Sequence, residues 1–196
     1  MLRRPRALIY TMLSGGAGFA LQVFLATFAV GYAVEHGAPR QSVLYVFALA
    51  SLLQVAFVVA MGRVSDHFGR RPVMLVGLVA FIYPMFGWLA SRNILLIFLA
   101  LTIGLLCHAL IYGPLAAFVS ERFGTTARYT GASLGYQFAT LLGAGFTPGI
   151  LASIYAASQR DTAPVVLYLA AMSVVSAIFI LLTKESKDHD LHTYEH

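Results

Sequence analysis

A histidine and a tyrosine four residues apart, His108 and Tyr112, stand in the uncharged run 94–119 and are the first residues to weigh for chemistry. At that spacing they share one helix face, together with Leu105 and Ile111, and imidazole is the side chain whose ordinary titration falls between about pH 5 and 8. Such a pair can pass a proton or hold an anion, a carboxylate above all. A neutral histidine hydrogen-bonded between two helices would leave the same pattern. Gln22, Gln54, Tyr136 and Gln137 are further polar side chains inside uncharged runs, able to donate hydrogen bonds into a central cavity. No metal-ligand spacing, nucleophile elbow or phosphate-binding glycine loop accompanies them, so no catalytic centre, metal or cofactor is expected. Cys107 is the only cysteine, which excludes an intrachain disulfide.

A second group is charged. Arg63, Asp66, Arg70 and Arg71 crowd between two apolar runs, in a stretch where Gly62, Gly69 and Pro72 signal a tight reversal. The arginines suit a loop that orients a membrane protein, but acidic residues contribute little to orientation. Asp66 must therefore serve some other purpose, either capping the helix that follows or reaching the positive N-terminal end of another helix on the same side.

The elements that must position these groups follow from composition. Charged residues normally make up about a quarter of a soluble chain, whereas here they are 11% against 59% hydrophobic, with a mean hydropathy of +0.79. Six runs free of Asp, Glu, Lys and Arg cover 7–34, 41–62, 73–90, 94–119, 129–158 and 162–183, each near the length of about 20 residues that a hydrocarbon core requires. The reading is an all-α membrane protein, one domain of six transmembrane helices over 1–196, ending in a disordered cytoplasmic tail at 184–196. Arg3, Arg4 and Arg6 before the first run imitate a signal peptide, but that run is too long for one and five more follow it. With the N-terminus inside, ten basic residues face the cytoplasm and only Arg40, Arg92 and Arg160 face outward, so both termini are expected to be cytoplasmic. The sequence pI of about 9.6 comes from charge divided among short juxtamembrane segments, which suits anionic lipid and not nucleic acid.

Gly62-Arg-Val-Ser-Asp66-His-Phe-Gly69-Arg70-Arg71 resembles the G-x-x-x-D-x-x-G-R-[KR] loop of the major facilitator superfamily. Tyr112-Gly-Pro-Leu-Ala-Ala-Phe-Val-Ser-Glu121, followed by Arg128-Tyr-Thr-Gly131-Ala-Ser-Leu-Gly135-Tyr136-Gln137, is similar to the tenth and eleventh helices of its metabolite:proton symporter family. The resemblance covers most of the chain, but only the second half of a twelve-helix transporter. It implies a six-helix half-bundle of the major facilitator fold, built as two inverted three-helix repeats in a bacterial inner membrane. It also implies alternating-access symport of a proton with a small organic anion or zwitterion. His108, Tyr112, Tyr136, Gln137, Gln22 and Gln54 become the candidate substrate contacts, and the resemblance supports Tyr136 and Gln137 in particular. Gly62, Asp66, Gly69, Arg70, Arg71, Glu121 and Arg128 become a gating loop. His67 and the stretch 123–128 depart from the family pattern by one basic residue each, which thins the cytoplasmic charge network. The implied partners are the bilayer, a proton, a small-molecule substrate, and either an N-terminal six-helix half or a second copy, Asp66 of one meeting Arg128 of the other. A solitary six-helix protein acting only by association is the rival reading.

Within the runs, Gly131-x-x-x-Gly135, Gly145-x-x-x-Gly149 and Ser14-x-x-x-Gly18 offer flat faces to neighbouring helices. Pro84, Pro114 and Pro148 each remove a backbone donor, and Gly113-Pro114 is the expected bend.

Overall fold

The computed structural model describes residues 5–79, 83–121 and 128–183, with the side chains of 5–7, 83, 84 and 128 outside that description. All the elements among the described residues are helical, as hydrocarbon demands of a chain that must satisfy its own backbone polar groups. They run α1 (Pro5–Val23), a π-helical turn (Phe24–Ala29), α2 (Val30–Glu35), α3 (Arg40–Phe68), α4 (Arg70–Leu78), α5 (Tyr83–Leu89), α6 (Ile94–Ser120), α7 (Arg128–Thr140), a second π-helical turn (Leu141–Gly145), α8 (Thr147–Ala157) and α9 (Ala163–Leu181). Among the described residues, five continuous stretches are long and apolar enough to cross a membrane: Leu8–Glu35, Arg40–Phe68, Ile94–Ser120, Tyr129–Ala157 and Ala163–Leu181. The expected span 73–90 is represented by α4 and α5, with residues 80–82 between them outside the described residues.

α6 is the axis of the bundle, with a broad buried stripe running its length through Ile97, Leu101, Leu105, His108, Ile111 and Phe118. Its neighbours approach closely because glycines remove side chains at the crossings. A Cβ at Gly113 would stand 2.8 Å from the Val58 carbonyl oxygen and 2.9 Å from the Gly62 nitrogen, so α3 and α6 meet there almost backbone to backbone. On the other flank, a Cβ at Gly77 of α4 would stand 2.8 Å from the Cys107 carbonyl oxygen. α1 and the π-helical turn after it close the third side, with Gly18 of α1 under Ile111 and Leu25 of the turn filling the space beside Gly104.

Several expectations change. The stretch 63–68 is not a loop: α3 continues to Phe68, and the reversal is Gly69 alone, at φ 94° and ψ 151°, a conformation that favours glycine. Gly113-Pro114, the expected bend, lies inside α6, which runs on to Ser120, and Gly113 is in addition a packing contact with α3. Ser14 is buried and Gly18 and Gly135 are packed, whereas Gly149 has nothing within 4 Å and Gly145 meets only Leu141 of its own segment. The Gly145–Gly149 pair is therefore not a packing face within this bundle.

α1 carries an opening of its own. Ser176 of α9 donates its hydroxyl to the Leu13 carbonyl at 2.7 Å and accepts from the Ala17 N–H at 3.1 Å. The residues spanned, in the run Ser14-Gly-Gly-Ala-Gly18, have small side chains that admit the neighbouring helix. A side chain inserted between i and i+4 in this way is one of the recognised causes of helix bending.

Candidate functional site

α3, α6 and α7 bring four of the six candidate substrate residues into one chain of polar contacts. Gln54 Nε2 of α3 lies 2.6 Å from His108 Nδ1 of α6. The His108 ring stacks on Tyr112, centroids 5.1 Å apart at 24°, as the four-residue spacing on one face requires. Tyr112 and Tyr136 then join hydroxyl to hydroxyl at 2.7 Å, linking α6 to α7. Phe19 of α1 packs edge-on against both tyrosines, at centroid distances of 6.2 and 5.0 Å. Its role is one that polarity-based reading misses, because nothing in an apolar run marks the phenylalanine that meets the tyrosines. Gln22 and Gln137 are not part of this chain: both are exposed, on α1 and α7.

Burial divides the group. His108 is 1% exposed, while Gln54, Tyr112 and Tyr136 are half-buried. Gln54 engages Nδ1, and Nε2 is buried with no hydrogen-bond partner. A buried polar atom in that condition costs about 1–3 kcal/mol, so it marks a place where the fold has been left incomplete.

The charged group lies at one end of the bundle. Arg70, in the first turn of α4, donates from Nη1 to Asp66 at 2.7 Å and from Nε to Glu121 at 2.8 Å. It thereby ties the end of α3 to the end of α6. Nη1 also reaches Ser65 Oγ at 3.3 Å. Burial of the guanidinium works against its charge, but the hydrogen bonds to Asp66 and Glu121 and their negative charges outweigh that cost and hold Arg70 above its ordinary value. Arg71 Nη2 donates to the Leu181 carbonyl at 2.7 Å, fastening α4 to the C-terminal end of α9. Asp66 does not cap α4, whose N-cap is Gly69 without a side-chain cap; it stands four residues before Arg70 and pairs with it. Gly62 belongs to the α3–α6 crossing, so of the expected gating residues it is a packing position. Arg128 begins α7, and its side chain and the stretch 122–127 lie outside the described residues, as do Arg3, Arg4 and the tail 184–196.

At the opposite end, Arg160 pairs with Glu35 at 2.5 Å and Arg92 Nε donates to the His36 carbonyl at 2.8 Å. Phe28, Tyr32, Phe86 and Tyr155 cluster just beneath, with Phe28 and Tyr155 at 5.1 Å and Tyr32 and Phe86 at 5.1 Å.

The family profile described as Major Facilitator Superfamily matches residues 8–195. The chain belongs to the major facilitator superfamily. Among its relatives, the inner membrane metabolite transport protein YhjE of Escherichia coli K12 is 35% identical over 88% of this chain and 40% of its own length. The shikimate transporter of the same organism is 29% identical over 95% of this chain and 44% of its own. Its proline/betaine transporter is 32% identical over 82% of this chain and 31% of its own. The chain thus spans less than half the length of these curated relatives. No solved structure matches. As a member of this superfamily the chain is an integral membrane protein of a transporter family, and its apolar helices are the spans of that fold.

Proposed function

We propose that the chain is the C-terminal half of a secondary active transporter, carrying a small organic anion or zwitterion together with a proton by alternating access. The observation that carries this reading is the polar chain Gln54, His108, Tyr112 and Tyr136, held inside otherwise apolar helices. Polar and ionisable groups are expensive at that depth and mark substrate or proton pathways. The named cargo of two relatives, shikimate and proline or betaine, supplies the substrate class. Gln22 and Gln137, exposed beside Phe19 and Tyr136 in sequence, complete the substrate contacts once a second half faces them. α4 and α5 together form the sixth crossing, both termini are cytoplasmic, and the membrane is a bacterial inner membrane. The partner is an N-terminal six-helix half: α3 leaves Tyr45, Leu52 and Val55 more than 60% exposed, and the relatives are more than twice this chain's length. Gly62, Asp66, Gly69, Arg70, Arg71, Glu121 and Arg128 gate the cytoplasmic end, since Asp66 keeps 60% of its side chain exposed and open to a second contact. The cargo leaves chemically unchanged, so no enzyme activity is assigned.

The test is complementation. The chain is co-expressed with the N-terminal half of the E. coli shikimate transporter in cells lacking shikimate and betaine uptake. Uptake of labelled shikimate or glycine betaine should exceed that of either half alone and collapse with a protonophore. Uptake no greater than the separate halves give would overturn the reading.

A further inference from the structure

We propose that His108 is the place where a proton and an organic anion bind as a pair, the proton on the imidazole and a substrate carboxylate against Nε2–H. The proposal rests on the transporter reading and deepens it, naming the residue and the ligand chemistry. Two observations carry it. Nε2 of a histidine that is 1% exposed has no partner, and the other ring nitrogen is held at 2.6 Å by a neutral amide from another helix. Thr11 and Thr102 also bury an unpaired hydroxyl oxygen, but neither carries charge.

Gln54 suits both protonation states of the ring. Its NH2 donates to a bare Nδ1 when the ring is neutral and hydrogen sits on Nε2; turned over, its carbonyl accepts from Nδ1–H of the imidazolium. In both states Nε2 bears a hydrogen that needs an acceptor. Negative charge is what Gln54 lacks. The other titratable groups at this level are Tyr112 on α6, Tyr136 beyond it on α7, and Cys107 next to His108 in the chain. The facing stretches of α1 (18–25), α3 (46–62) and α4 (73–78) contain no acidic, basic or other titratable residue.

Among the described residues no acidic side chain faces an imidazolium there, and an uncompensated charge at a span centre is costly in hydrocarbon. A carboxylate entering the same place meets the mirror-image cost. Each relieves the other. The proton adds to the ring, the carboxylate brings one negative charge, and the bound pair is neutral. By linkage, the factor by which the anion strengthens proton binding equals the factor by which the proton strengthens anion binding. The tyrosine pair adds a donor: two hydroxyl hydrogens serve one Tyr112–Tyr136 bond, and the second remains for the other carboxylate oxygen. Gln54 is here a positioning residue, acting through the ring.

The experiment uses the full chain, labelled with 15N-histidine, in lipid nanodiscs at pH 7, with His108→Gln assigning the signal among six histidines. Shikimate, succinate and benzoate serve as carboxylate probes, and methyl shikimate as the uncharged control. A carboxylate probe should convert His108 from the singly to the doubly protonated ring, with one proton taken up per anion bound; methyl shikimate should not. Gln54→Glu should give the doubly protonated ring with no ligand added, and Gln54→Leu should not. A ring already doubly protonated without ligand would place the counter-charge elsewhere and overturn the proposal. So would a ring unchanged by all three probes, or a neutral ring in Gln54→Glu. Proton pairing seen here without uptake in the complementation assay would sink the transport reading and leave this one standing.

Discussion

Glu121 and Asp66 hold the same guanidinium on different terms. The Glu121 side chain is 19% exposed and the Asp66 side chain 60%, so water competes far more at Asp66. A hydrogen bond to a charged and largely buried group is worth about 1.5–3 kcal/mol, while an exposed i,i+4 pair is worth under about 1 kcal/mol. Glu121→Gln should therefore lower the unfolding free energy by about 1.5–3 kcal/mol, and Asp66→Asn by less than about 1 kcal/mol. Denaturant titration in mixed micelles reads both. Equal losses would mean that burial does not govern this network. The sequence makes Asp66 the conspicuous residue and Glu121 a lesser one, and the energetic order expected from their exposures is the reverse. The reason is that exposure depends on where α6 ends relative to α4, which local spacing does not encode.

Helix packing reverses the value of individual glycines in the same manner. At Gly113 the first atoms a methyl group would meet are backbone, 2.8 and 2.9 Å away, and backbone cannot rotate aside. Gly149 has nothing within 4 Å. Gly113→Ala should destabilise by about 1–3 kcal/mol through overpacking, despite alanine's better helix propensity. Gly149→Ala should stabilise by up to about 1 kcal/mol. Because Gln54 lies two turns along α3 from Gly62, spreading the crossing should also weaken the Gln54–His108 bond, visible as a shift of the His108 ring signals. Losses of the same sign at both glycines would contradict the crossing. Five of the six expected spans were legible because charged residues and turns end each apolar run. The Ser176 insertion, the two π-helical turns and the Gly113 contact were not, because each depends on which distant helix lies alongside. Gln54 and His108 were both visible as polar residues in apolar runs, but their meeting was not, since 54 positions separate them. The relay from Tyr112 to Tyr136 likewise became visible only with α7 packed against α6.

At the scale of the whole bundle, the two ends differ in chemistry. One end joins Glu35 to Arg160 and Arg92 to the His36 carbonyl; the other holds Arg70 between Asp66 and Glu121 and fastens Arg71 to Leu181. The expectation that the second end is cytoplasmic rests on the sequence, where ten of the thirteen basic residues fall in the segments assigned to that side, since short basic segments are retained inside. Cysteine accessibility decides the matter in a Cys107→Ala background. Gly37 is a poor site for the outer probe, because its φ of +96° disfavours other residues and a Cβ there would stand 2.9 Å from Arg92 Nε. Gln159 already occupies a positive φ of 54° and is exposed, so Gln159→Cys keeps the turn. His67 is exposed at the opposite end. In intact cells a membrane-impermeant thiol reagent should label Gln159→Cys, and should reach His67→Cys only after permeabilisation. The reverse pattern would invert the orientation and move the Arg70 network outside. The proposed cytoplasmic gate would fall with it, while the His108 site, buried between the two ends, would keep its argument unchanged.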